Sequence, residues 1–188
     1  MALPPIFTVG RISKGKRVLD CFSHVGGFAL HAAKGGAEQV TAVDISQSAL
    51  DYAAVNAGLN GLEINFIKAD VFDFLTELAD RKSRDYDLIV LDPPAFTKSG
   101  TTLKSAYRGY KEINLKAMKI LPRGGYLATC SCSHFMTDEL FRRMLAEAAS
   151  DAAVQLRQVY VGRQAADHPI LWGVPETDYL EFYIFQVI

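Results

Sequence analysis

Residues 17–46, RVLDCFSHVGGFALHAAKGGAEQVTAVDIS, decide the kind of molecule this is. An apolar run, Arg17–Phe22, gives way to Gly26-Gly27 and a helical pattern over about 26–35. A second apolar run, Gln39–Asp44, follows. Two buried strands separated by a helix must lie parallel, because the connection carries the chain back to the starting edge of the sheet. The same unit recurs downstream. Further strands are expected at Ile64–Lys68, Asp87–Leu91 and Gly125–Ser131, and helices at about 47–59, 71–82, 104–121 and 136–150. Ser46 is a suitable N-cap for the second helix and Asn60-Gly61 a suitable stop. The last forty residues break the alternation: Val154–Val161 and Tyr179–Val187 are strand-like and joined by AADHPILWGVPETD, without a helix. The expected fold is α/β and Rossmann-like, mostly parallel, with an antiparallel hairpin at the C-terminal end.

Bulk properties fit one domain over 1–188. The chain has 188 residues, 49% of them apolar, enough for a full core. No apolar run approaches the ~18 residues of a membrane span. The opening MALPPIFTVG has no basic leader, and its prolines interrupt the apolar residues, so no secretory signal is read there. Three cysteines without a CxxC pair argue against a disulfide framework and against a zinc site. A reducing, cytoplasmic setting and no metal are expected.

In sheets of this kind ligands bind beyond the carboxyl ends of the strands. Four successive expected strands bring an acid there: Asp20, Asp44, Asp70 and Asp92. Each alone has a plain reading, since an aspartate before a helix is often only a cap. A nicotinamide enzyme would use the first two, but it wants GxGxxG and the chain has HVGGF. All four suit S-adenosylmethionine. Asp20, Phe22, Ser23, Gly26, Gly27 and Phe28 surround the amino-acid moiety, and Asp44, with Ile45 and Ser46, accepts the ribose hydroxyls. Asp70, with Val71 and Phe72, receives adenine. Asp92 borders both the cofactor and the methyl acceptor.

The acceptor side reads LDPPAF, residues 91–96. Proline ends a strand by removing ladder donors, and a rigid Asp92-Pro93-Pro94 can also hold a planar base still. Asp-Pro-Pro followed directly by an aromatic typifies methylation of exocyclic amines. Here Ala95 intervenes before Phe96. A carbon acceptor, for example carbon 5 of cytosine, would be a poor nucleophile and would need a thiolate added at carbon 6. Cys132, at the end of TCSCS, is the candidate nucleophile; Cys130 and Cys21 read better as small buried residues. His134 and His168 could tune the thiol, and Glu176 or water could remove the carbon-5 proton. Residues 98–123 hold seven basic side chains and one acid, Glu112, in a chain of formal charge −1. Arg108 and Lys111 within it are candidate phosphate contacts, although lysines between Leu115, Met118 and Leu121 also describe a solvated helix face.

The stretches VLDCFSHVGGFAL, VTAVDISQSAL, DYDLIVLDPPAF, YRGYKEINLKAM, GGYLATCSCSHFM and QAADHP, from about residue 17 onward, carry a resemblance. The chain resembles the catalytic domain of class I S-adenosylmethionine-dependent methyltransferases, specifically the bacterial large-subunit ribosomal RNA cytosine-5 methyltransferases. The resemblance implies a seven-stranded methyltransferase sheet, the cofactor roles above, Cys132 as nucleophile and Asp92 facing the base. It implies a ribosomal RNA substrate, unpaired or partly assembled; a homodimer is compatible with it. Family members carry an RNA-binding domain ahead of this one, whereas about sixteen residues precede the first strand here. The chain also reads PETDYL where the family has glycine after Pro-Glu. Two other functions stay open at this point: methylation of guanine N7 or an exocyclic amine, and a cofactor-binding module without activity.

Overall fold

A computed structural model describes residues 4–97, 100–165 and 168–188. Its seven strands are β1 (Arg17–Cys21), β2 (Gln39–Asp44), β3 (Asn65–Lys68), β4 (Leu88–Leu91), β5 (Tyr126–Ser131), β6 (Leu156–Gly162) and β7 (Glu181–Val187). They form one sheet in the order β3-β2-β1-β4-β5-β7-β6. The first five run parallel, and β7 is antiparallel to both neighbours. The helices are α1 (Pro5–Ile12), α2 (Gly27–Lys34), α3 (Gln47–Leu59), α4 (Val71–Asp80), α5 (Leu103–Ile120) and α6 (Asp138–Asp151). The order reverses between β1 and β4, so the carboxyl ends of these two strands flank a crevice.

Alternation along each strand builds two apolar layers. Leu19, Cys21, Ile89 and Leu91 point toward α4, α5 and α6, while Val18, Leu88 and Val90 point toward α1 and α2. Both sets are fully buried, as a sheet covered on both faces requires. Ser46 caps α3 by accepting from the Ala49 amide at 3.3 Å, and Gly61 follows the helix at φ 64°.

Helix α1 was not expected from the sequence. Its prolines read as breakers, yet Pro5 occupies the first helical turn, where no amide partner is lost. The helix is held by a backbone approach that only glycine permits: a Cβ on Gly35 would stand 1.9 Å from the Gly10 carbonyl oxygen. The expected ends shift elsewhere by one or two residues, β6 starting at Leu156 and β7 at Glu181.

Candidate active site

The site grows from the loop between β1 and α2. Phe22 at φ 62° and His24 at φ 49° lie in the left-handed region, which costs side-chain-bearing residues and is held here by surrounding bonds. Asp44 supplies them: it accepts from the His24 amide at 2.9 Å and from the Ser46 amide at 2.8 Å. Asp70 caps α4, accepting from the Phe72 amide at 2.7 Å. Both carboxylates keep lone pairs toward a cavity of about 450 Å³, which Ile45, Val71, Phe72 and Phe22 also line. Ile45 is 65% exposed, an apolar side chain left open beside it. His24 lines the cavity too and was not anticipated, because its contribution to the turn is a backbone amide.

Beneath the loop, Asp20 is 1% exposed. One oxygen accepts from the Ala29 amide at 2.9 Å; the other has no hydrogen-bond partner. Burial, followed in weight by the neighbouring Asp92 and Asp44, pushes its pKa up to about 8, against the Ala29 bond, which lowers it. An orphaned buried acceptor of this kind fits a cationic group such as the ammonium of S-adenosylmethionine. Gly26 turns the chain at φ 86° as the N-cap of α2, and Ser23 is buried with its hydroxyl unpartnered. Phe28 stacks on Phe182 at 5.9 Å between centroids, within the layer under α1 and α2.

The other wall comes from β4 and β5: Asp92, Pro93, Pro94 and Cys132 line the same cavity. Burial raises the pKa of Asp92, against the thiol bond from Cys130 and the field of His24. Cys130 is 2% exposed and donates to Asp92 Oδ1 at 2.9 Å and to the Leu91 carbonyl at 3.3 Å. Cys132 lies just past the end of β5 and is half-buried, its thiol 3.5 Å from the Pro93 carbonyl. Burial and the Asp92 charge raise its pKa, so the resting group is the thiol. Cys21 is fully buried in the core.

Phe96 turns away from this wall. Its ring meets Tyr110 at 4.6 Å, Phe72 at 5.7 Å and Phe22 at 6.2 Å, forming an aromatic backing behind the cavity. The basic run divides along α5, whose 18 residues span about 27 Å from the carboxyl edge of the sheet to the amino edge. Arg108 is exposed near the carboxyl edge. Lys111 pairs with Asp151 at 2.9 Å and Glu147 at 3.4 Å. Lys116 pairs with Glu112, and Arg123 lies at the opposite edge. Lys98 lies outside the described residues. His134 and Glu176 are exposed and do not line the cavity, and the His168 ring meets the Tyr179 hydroxyl at 2.9 Å.

An α/β sheet with acids from three strand ends lining one crevice, and a fourth, Asp20, buried beneath it, defines a nucleotide-type cofactor site. The sequence model of S-adenosylmethionine-dependent methyltransferases matches residues 7–166, and the chain belongs to that family. Its cofactor is S-adenosylmethionine. It is 46% identical over 176 residues to the ribosomal RNA large subunit methyltransferase I of Klebsiella pneumoniae, covering 92% of this chain and 44% of that protein. It is 47% identical over 180 residues to the protein of that name from Vibrio cholerae, covering 93% and 45%. The chain thus spans less than half the length of these relatives. Among solved structures, SMU.776 in complex with SAH superposes with TM-score 0.81 at 21% identity, over 95% of this chain and 47% of that one. NSun6 from Pyrococcus horikoshii superposes with TM-score 0.70 at 18% identity, over 100% and 52%. These two likenesses concern the fold alone. Among the described residues, no cluster of three or more His, Cys, Asp or Glu could hold a metal ion, and no helix is long and apolar enough to cross a membrane.

Proposed function

We propose that residues 1–188 act as a single transfer unit that methylates carbon 5 of a cytosine in large-subunit ribosomal RNA, in the cytoplasm, through a covalent link to Cys132. The observation that carries this reading is the position of Cys132, half-buried in the same cavity wall as Asp92, Pro93 and Pro94. The names of the relatives supply the RNA.

Bound S-adenosylmethionine supplies an electrophilic methyl group. Asp44 accepts the ribose hydroxyls, Asp70 the adenine amino group, and Ile45 and Phe72 cover the ring. Asp20 meets the ammonium with its free oxygen. On the acceptor side, Pro93 and Pro94 fix the base against Asp92. The Cys132 thiol loses its proton and the sulfur bonds to carbon 6, so that carbon 5 becomes enamine-like and takes the methyl group. Loss of the carbon-5 proton then expels the sulfur as thiolate and restores the ring. During addition, charge develops at the N3 edge of the ring, and Asp92 is the group in this wall placed to hold that edge and stabilise the charge. The target must leave its stack to enter, which favours an unpaired cytosine.

RNA carrying 5-fluorocytosine at the target cannot lose the carbon-5 substituent as a proton. Wild-type protein and Cys130→Ala should become trapped on it as complexes that survive denaturation, and Cys132→Ala should not. Near-normal methylation of a defined RNA by Cys132→Ala would overturn the covalent mechanism in favour of a nitrogen acceptor. The turned-in ring of Phe96 weighs against that alternative, since the aromatic that follows the Asp-Pro-Pro turn in sequence packs on Tyr110 and does not line the cavity.

A further inference from the structure

Between β6 and β7 the chain builds a stiff loop and puts a tryptophan on its tip. The Gln164 side chain holds the base of the loop: Nε2 donates to the carbonyls of His168 (2.9 Å) and Thr177 (2.8 Å), and Oε1 accepts from the amides of Tyr179 (2.9 Å) and Leu180 (3.4 Å). Thr177 ties the tip down, accepting from the Leu171 amide at 2.9 Å and donating to the Val174 carbonyl at 2.8 Å. Arg163 and Asp178 pair across the loop at 3.3 Å. Trp172, next to Gly173 at φ 90°, is 100% exposed. Loop tips ordinarily carry small or polar residues. Here several side chains spend their bonding capacity holding an uncovered indole in place.

Position says what the loop borders. In the sheet Gly162 stands opposite Phe182, and Ser131 opposite Glu181, so the loop leaves from the edge where Cys132 lies. A groove of about 320 Å³ separates the two, lined by Ser133, His134 and Thr137 on one side and Arg163, Asp178 and Tyr179 on the other. A strand whose target base sits beside Cys132 has this groove as its way out. Three acids line it, which disfavours phosphates: Asp178, paired with Arg163, Asp138, bonded by the Tyr183 hydroxyl and paired with Arg142, and the half-buried Glu181. The groove therefore suits bases better than phosphates.

We infer that the β6–β7 loop is a stacking platform on which Trp172 takes an unpaired base flanking the target nucleotide. Aromatic side chains recognise splayed bases in single-stranded RNA this way, with little sequence preference. The inference rests on the RNA reading above and adds to it where the substrate strand runs.

Trp172 is the only tryptophan in the chain, so intrinsic fluorescence reports on this position alone. Wild-type protein is titrated with a dye-labelled, unpaired oligoribonucleotide containing cytosine, and indole emission and label anisotropy are followed together. Quenching with the same midpoint as the anisotropy change is expected. Trp172→Ala should raise the RNA KM by roughly five- to a hundredfold, the usual cost of losing one stacked base. Its kcat should stay unchanged, and Trp172→Phe should restore most of the affinity. Unchanged emission while anisotropy saturates would overturn the platform and leave the RNA reading standing. No anisotropy change at all would remove the RNA reading and the platform with it. A blue shift that depends on protein concentration without RNA would mean that a second copy covers the indole, and would also overturn the inference.

Discussion

The two halves of the cavity treat their carboxylates in opposite ways. On the cofactor side, Asp44 and Asp70 sit at the solvent boundary and accept backbone amides at 2.7 to 2.9 Å. On the acceptor side Asp92 is recessed, receives only a thiol hydrogen bond, and has its pKa raised by burial. Cys132 shares that environment, and burial raises its pKa as well. One half presents bonded carboxylates to a ligand that must be held. The other sets a carboxyl and a thiol with raised pKa values beside a reaction that must move protons. Transfer should therefore depend on pH through Cys132, and cofactor binding through Asp20, whose free oxygen is placed for the ammonium.

The largest expected effect separates the halves outright. Cys132→Ala should abolish methyl transfer while calorimetric titration shows cofactor affinity unchanged; a parallel loss of affinity would erase the division. Next is Asp44→Ala, expected to weaken cofactor binding by about 1.5–3 kcal/mol as a charge-assisted bond to the ribose disappears. Glu63→Ala, exposed and away from the cavity, is the control.

The division can be sharpened through pH. With the Cys132 pKa raised, the single-turnover transfer rate should climb through the alkaline range, and saturating cofactor keeps the titration of Asp20 out of that measurement. Asp20 gives a stability test. Its pKa of about 8 in the fold stands above the ordinary 3.8, so between these values the folded protein keeps a proton that the unfolded chain releases. The contribution of this group is complete below about pH 4 and is lost as pH rises through 8. Asp20→Asn should flatten the decline in melting temperature over that window; an unchanged decline would mean that the carboxyl is not the group responsible.

The smallest effects are expected on the basic helix. Neutralising Lys104 and Arg108 together should weaken RNA binding several-fold and reduce its salt dependence, since among the described residues neither makes an ion pair. Lys111→Ala should add little, because Asp151 and Glu147 already hold that charge. Filter binding across a salt series would show whether the two groups of cations differ.

What the sequence made legible follows from physics local to each strand. An apolar run that stops at an acid places the acid at a sheet edge, and this brought Asp44, Asp70, Asp92 and Cys132 to one crevice. What it concealed depends on partners far away in the chain. Phe96, one residue past the Asp-Pro-Pro turn, is a substrate-binding candidate in the sequence until Tyr110 and Phe72 are seen to claim its ring. Lys111 reads as free until α6 supplies two carboxylates. Helix α1 reads as broken until Gly10 meets Gly35. Charge clustered in sequence likewise dispersed in space, because an 18-residue helix carries its two ends to opposite edges of the sheet.

Strand β7 has a consequence for biosynthesis. It pairs with β5 on one side and β6 on the other, yet it is the last of the seven strands to leave the ribosome. Until residues 181–187 emerge, β5 presents an open edge and β6 has no partner at all. The sheet cannot be finished until β7 has been made, and its chemically active edge is bounded by the unfinished part. A nascent chain halted at Leu180 should therefore be the species most prone to aggregate, and the one that chaperones hold longest.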